Sequence, residues 1–231
     1  KTAFIGKIGR DMHGAFLKQS IESVGIDTRG LIEADDVFTT LAFVDLSDSG
    51  ERSFSFARKP GADTCLTADD LDESLLKNTR ILHVGSLSLT NEPARGATLR
   101  AIEIAKAAGA IISYDPNYRA PLWESVEAAK TQMRSLLPYV DVMKLSDEET
   151  ALLTDREDPA DALRFLNDAG VSCAAVTMGP KGALAMLRGE TAMTGPHECV
   201  RVDTTGAGDA FWGGFLHSLL RSEKRIEALS L

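Results

Sequence analysis

Short apolar runs and helix-spaced apolar positions alternate along most of the chain. Thr2 to Ile5 is strand-like, after which Leu17, Ile21 and Val24 recur at helical spacing and Gly25 follows as a stop. Ile81 to Val84 predicts a buried strand, Ala94 to Ala108 an Ala-rich helix closed by Gly109, and Ala110 to Tyr114 the next strand. Val140 to Leu145, then Ala160 to Ala169 with Gly170, then Val171 to Thr177 repeat that strand-helix-strand order, and a last helix is predicted from Gly208 to Leu220. The order predicts an α/β fold, a mainly parallel sheet flanked by helices. One region breaks the rhythm: Thr39 to Leu46 and Arg52 to Arg58, joined by Ser47-Asp48-Ser49-Gly50, predict a hairpin. Its mixed alternation fits either a small sheet that covers something or an edge hairpin of the main sheet.

Composition narrows the partners. With 231 residues, 44% of them hydrophobic, the chain can bury the core of one large domain or of one domain with a small appendage. No apolar run approaches the roughly 18 residues of a membrane span. The sequence opens on Lys1 with no Met and no basic or apolar leader, so no signal peptide is expected and residues upstream are. The net charge of -9 is spread out and no basic block occurs, which argues against a nucleic-acid partner. A small anionic ligand stays compatible, because converging backbone amides with a metal ion make a local positive field on an acidic protein. Cys65, Cys173 and Cys199 show no Cys-x-x-Cys spacing and the four histidines no His-x-x-x-His pair, so a reducing cytoplasm and no structural zinc are expected.

The strongest chemical signal is Asp203-Thr204-Thr205-Gly206-Ala207-Gly208-Asp209-Ala210-Phe211, which follows the short stretch Cys199 to Val202 and opens the last helix. Gly206 and Gly208 allow the loop amides to converge beside the unpaired donors of the helix start, a nest suited to phosphate oxygen. Asp209 falls in the first helical turn beside that nest, and a base next to an anion hole is the arrangement for phosphoryl transfer to an alcohol. The dinucleotide fingerprint fails here, since Phe211 stands where it needs Gly or Ala, and no Walker A string occurs. On residues alone, Asp147-Glu148-Glu149 reads as an acidic helix start and Thr177 to Gly182 as a β-turn. Asn117 and Arg119 read as a stiffened loop just past a strand end, either carrying donors suited to hydroxyls, carboxylates or phosphates or facing solvent with a salt bridge.

The string Asp203 to Phe211 resembles the C-terminal signature of the ribokinase family of carbohydrate kinases. Lys144 to Glu149, Asp115-Pro116-Asn117-Tyr118-Arg119 and Arg58-Lys59-Pro60-Gly61-Ala62-Asp63 are similar to strings of its bacterial and plant fructokinases, in the same order. The resemblance implies a ribokinase-like α/β core over 1–38 and 59–231 with residues 39–58 as a β lid over the sugar. It implies Asp209 as the base and the amides of Gly206, Ala207 and Gly208 as the anion hole. Lys144, Ser146, Thr177, Gly179, Lys181 and Gly182 would belong to the nucleotide site, and Arg58, Asn117, Arg119 and Asp209 to the sugar site. Glu149 would hold Mg²⁺ through water, with Ser146 standing where the family commonly has Asn, and Asp203 and Thr205 would serve a potassium ion. The implied activity is ATP-dependent phosphorylation of a primary hydroxyl of a small sugar, fructose first, with 2-keto-3-deoxygluconate as the rival and a non-catalytic sugar-binding regulator as the reading from another class. Ala57 replaces the Tyr usual in fructokinases. Both chain ends look short against the family. An exposed lid edge offers pairing to another subunit, so a homodimer through the lid is expected.

Overall fold

A computed structural model describes residues 1–46, 52–196 and 204–222. The chain groups into two compact units. The first comprises Lys1–Thr79, Ser86–Ala110 and Arg119–Ala129; the second comprises Arg80–Gly85, Ile111–Tyr118 and Lys130–Leu231.

The first unit opens with β1 (Ala3–Gly9), α1 (Met12–Ser23) and β2 (Asp27–Ala34), in which β1 and β2 pair in parallel. Helix α1 starts where Asp11 accepts the amides of His13 and Gly14, and its other oxygen accepts that of Thr39 at 2.8 Å. These bonds to N–H donors hold the Asp11 carboxyl below its ordinary range, Thr39 contributing most. β3 (Leu41–Leu46) and β4 (Arg52–Ala57) form the expected antiparallel hairpin as a separate two-stranded sheet, with Phe43 opposite Ser55. Its connection Ser47 to Gly50 lies outside the described residues. After the short helix α2 (Glu73–Lys77), the unit's apolar cluster joins Leu66, Ala94 and Ala97 to Ile5, Ile32 and Leu71.

Among the described residues, the second unit is built on one six-stranded sheet. It takes β5 (Ile81–Val84) and, beyond the first unit's helix α3 (Ala94–Ala107), β6 (Ile111–Tyr114). After α4 (Val126–Ser135) come β7 (Val142–Ser146), α5 (Asp147–Thr154), α6 (Pro159–Asp168), β8 (Cys173–Thr177), β9 (Ala183–Leu187), β10 (Glu190–Thr194) and α7 (Ala207–Arg221). The sheet order is β10-β9-β8-β7-β6-β5; β5 to β8 run parallel, and β9 and β10 add antiparallel pairings at one edge.

Side chains alternate between faces along a strand, and the parallel strands are apolar on both. Val142, Cys173, Ala175 and Leu187 pack against Trp212 and Leu219 of α7. The alternate residues Met143, Leu145, Ala174 and Val176 are buried on the opposite face, where α5 and α6 pack against β7, β8 and β9. Helix α6 fits its place by sequence: Asp158 caps it, Pro159 starts it, and Ala162, Leu163 and Leu166 form a buried stripe.

Candidate active site

The parallel strands point their carboxyl ends the same way, so the residues after Val84, Tyr114, Ser146 and Thr177 gather along one edge of the sheet, where open α/β sheets bind ligands. Most of the expected site residues of the second unit are on or beside this edge. Their surroundings differ sharply.

Helix α7 begins with no side-chain cap. Gly206 occupies the left-handed region at φ 76°, which an L side chain rarely adopts, and it turns the chain into the helix. Ala207 N–H donates to Thr204 C=O at 3.2 Å and Ala210 N–H to Gly206 C=O at 2.8 Å. Among the described residues, the amides of Gly206, Gly208 and Asp209 make no hydrogen bond. Thr204 to Ala207 and Asp209 are exposed. The start of α7 is therefore a set of open donors with the helix dipole behind them and one exposed carboxylate, Asp209, on its first turn. Thr205 sits in this turn, whereas Asp203 and the stretch Cys199 to Val202 lie outside the described residues.

Lys144 brings a fixed charge to that start. It shares the α7-facing side of β7 with Val142, is buried, and its Nζ donates to Asp115 Oδ2 at 2.8 Å. A Cβ added to Gly208 would stand 3.0 Å from Lys144 Nζ. The ammonium thus lies against the glycine turn at the start of α7 while paired with Asp115. Burial pushes the Asp115 carboxyl up and the Lys144 ammonium pulls it back, with the charge of Asp209 adding to the rise.

Two further polar side chains line the same face. Ser113 Oγ accepts the indole N–H of Trp212 at 2.9 Å and lies 2.9 Å from His83 Nδ1. Trp212 stacks on Phe215 with ring centroids 4.6 Å apart. The His83 pKa is lowered by burial, against the charge of Asp209 and with that of Lys144, which keeps its ring neutral at neutral pH. His83, Ser113, Asp115 and Trp212 carried no site expectation. The signal that could have found them is a polar residue inside an otherwise apolar strand: His83 in Ile-Leu-His-Val, Ser113 in Ile-Ile-Ser-Tyr.

Ser146 and Glu149 are engaged otherwise. They form a reciprocal capping box at the start of α5. Glu149 is buried; its Oε2 accepts the Ser146 amide at 2.9 Å and hydroxyl at 3.1 Å, and its Oε1 accepts Tyr118 N–H at 2.7 Å. Asn117 is half-buried and adopts the left-handed region at φ 48° in the loop past β6, a conformation Asn tolerates. Thr177 Oγ1 donates to Leu145 C=O at 3.3 Å, while Gly179 and Lys181 are exposed on the turn between β8 and β9. Gly182 has φ 93°, and a Cβ there would stand 2.0 Å from Thr194 C=O, so glycine is obligatory for packing alone.

Arg58 and Arg119 belong to the first unit. Arg58 is turned inward: Nε donates to Asp63 Oδ2 at 2.7 Å, one terminal nitrogen to Thr90 Oγ1 at 2.9 Å and the other to Leu87 C=O at 2.8 Å. With 6% of its side chain exposed, it fastens the segment after the hairpin to the residues around Thr90. Among the described residues no group of three or more His, Cys, Asp or Glu is placed to hold a metal.

The family description "pfkB family carbohydrate kinase" matches residues 1–231. The chain belongs to the pfkB family of carbohydrate kinases. It is 41% identical to a probable fructokinase-7 of Arabidopsis thaliana over 99% of its own length and 69% of that protein, and 40% identical to fructokinase-1 of Zea mays over 98% and 70%. Its fold superposes on the structure of a Xylella fastidiosa fructokinase with bound ATP at a TM-score of 0.89 and 32% identity, covering 98% of this chain and 70% of that one. A Vibrio cholerae O395 fructokinase double mutant in fructose-, ADP- and potassium-bound form gives 0.85 and 33%, covering 94% and 69%. The fold is ribokinase-like and the protein is a carbohydrate kinase, a phosphotransferase with an alcohol acceptor.

Proposed function

We propose that this pfkB-family protein transfers the γ-phosphoryl group of ATP to a primary hydroxyl of fructose. The observation that carries the reading is the start of α7, where open amides, the Lys144 ammonium beside Gly208 and one exposed carboxylate share a single helix start. In the reaction Asp209 takes the proton of the attacking hydroxyl, while the open amides of Gly206 and Gly208, and that of Ala207 once it leaves Thr204 C=O, donate toward the oxygens of the transferring group. This is catalysis by positioning and charge stabilisation. The same amides and ammonium fit a triphosphate. Mg²⁺ bound with it would spread the phosphate charge; with no protein cage among the described residues, it would be held by phosphates and water, with Glu149 acting through a water. Thr177, Gly179, Lys181 and Gly182 are the proposed flank of the nucleotide, and Asp203 with Thr205 the proposed potassium site.

Among sugars, fructose is favoured over 2-keto-3-deoxygluconate. The acid's carboxylate needs a cationic clamp, and the Arg58 guanidinium is already committed to Asp63, Thr90 and Leu87, which leaves Arg119 alone of the two arginines to supply it. Asn117 and Arg119 remain the proposed sugar contacts. The β3-β4 hairpin is proposed as the lid, and exposed Phe43 and Val44 on it support pairing with a second copy. Buried Cys173, whose thiol burial pushes up to about 11, and unbridged Cys65 fit a reducing, cytoplasmic setting. No helix among the described residues is long and apolar enough to cross a membrane.

The test is sugar-dependent ADP release with fructose, 2-keto-3-deoxygluconate, ribose and adenosine, for the wild type and Asp209→Asn. Fructose is expected to give the highest kcat/KM, and the substitution to lower kcat by about 100-fold or more. Near wild-type turnover by the variant would remove Asp209 as the base; a wild type inactive on every sugar would favour a binding regulator.

A further inference from the structure

We infer that Asp115 is a positioning residue for phosphoryl transfer, acting by holding the Lys144 ammonium against Gly208 at the start of α7. The inference rests on the proposed kinase reading of that turn and adds a residue to it. Asp115 stands two residues beyond Ser113, just past the end of β6, with its carboxylate almost wholly buried. Oδ2 accepts the Lys144 ammonium at 2.8 Å, while Oδ1 is buried and makes no hydrogen bond of ordinary geometry, the nearby Asn117 amide giving the carboxylate a weaker one. A buried carboxylate with one oxygen poorly satisfied is a poor stabiliser: desolvation offsets much of the attraction, and an apolar pair of the same volume is often as stable. Folding alone therefore gives a weak reason for this pair.

Its geometry gives a stronger one. Lys144 has four rotatable side-chain bonds, and an unheld ammonium would seek water or the carboxylate of Asp209. A lysine collapsed onto the base would quench both groups. Asp115 bonds the Lys144 nitrogen at 2.8 Å, and that nitrogen stands 3.0 Å from the Cβ position of Gly208. There the charge adds to the open amides without bridging to the base. Charge placed in advance costs no reorganisation when negative charge is brought to the site.

A double-mutant cycle tests this: wild type, Asp115→Asn, Lys144→Met and the double variant, measured for kcat, for sugar KM and, by calorimetry, for affinity toward a Mg²⁺ complex of a non-hydrolysable ATP analogue. Asp115→Asn is expected to lower kcat about 10-fold or more, with sugar KM changed less than threefold, and to add nothing in the Lys144→Met background. Equal losses in both backgrounds, or a single variant within twofold of wild type on every readout, would overturn the inference. If Asp115→Asn does not fold, the double variant leaves no buried charge unpaired; equality with Lys144→Met supports the role and a further loss rejects it. The calorimetric arm follows the same cycle without sugar, so a wild type inactive on every sugar sinks the kinase reading while the cycle still decides the role of Asp115.

Discussion

Two helices of the second unit begin in opposite ways. Helix α5 closes itself: Ser146 and Glu149 cap each other, Glu149 also ties down the Tyr118 amide, and three acidic residues fill the first turn. Helix α7 begins on a left-handed glycine, leaves the Gly208 and Asp209 amides unbonded among the described residues, and faces a buried lysine. Both are helix N-termini with the same dipole. The dipole is therefore common to both, and the two starts differ in what stands on them. Among the described residues α7 leaves several of its first donors uncapped and carries a single acid, Asp209, in its first turn.

Substituting Gly208→Ala attacks the open start most directly. The new methyl would meet Lys144 Nζ at 3.0 Å, and the lysine, buried and paired with Asp115, has little room to withdraw. Alanine is at least as good a helix former as glycine, so folding stability should hold while kcat falls about 10-fold or more. Urea unfolding and steady-state kinetics on one preparation separate the two effects; full activity would mean that the ammonium need not sit there.

On the closed helix, Glu149→Gln should have its main effect on folding. Both carboxylate oxygens accept N–H donors, and an amide can accept at only one side, leaving a buried donor facing another at a cost of about 1–3 kcal/mol. If Glu149 also holds Mg²⁺ through water, the Mg²⁺ concentration for half-maximal rate rises. An unchanged Mg²⁺ dependence would leave the cap as its whole role. Ser146→Ala removes the other half of the box and should cost about 1 kcal/mol, read in urea, with kcat within a few-fold of wild type.

How much of this could be read beforehand follows from burial. β5 to β8 were legible because strands covered on both faces are continuous apolar runs. β2 was not, since Asp27, Arg29 and Glu33 interrupt a strand that pairs with one neighbour only. β10 escaped because every one of its residues is exposed, so no alternation marks it. At the site, the Gly206 to Asp209 turn was legible because its chemistry is local to one string of residues. The Asp115–Lys144 pair was not, because it joins a residue just past β6 to one within β7, which only the sheet brings together. Glu149 shows the converse: the acidic run was readable as a helix start, and the capping box gives that plain reading a full set of hydrogen bonds.

The far end of α5 carries the smallest effect. Asp155 ends the helix in the left-handed region at φ 59°, where its charge opposes the helix dipole, yet Lys130 and Arg134 both bond to it. Those two bonds, Lys130 first, hold its carboxyl down at about 2. The sign follows: a carboxyl lowered on folding stabilises the native state above the unfolded value near 3.8, and that contribution is lost as pH falls through about 2. Half of the side chain is exposed, so solvent and salt screen the effect. Asn adopts the left-handed region as readily as Asp, so Asp155→Asn removes the charge and keeps the turn. A slightly lower urea midpoint is expected at pH 7, shrinking in high salt and vanishing toward pH 2. A difference that persisted at pH 2 would mean that the side chain works through its shape and hydrogen bonds, and that α5 is closed at this end without help from charge.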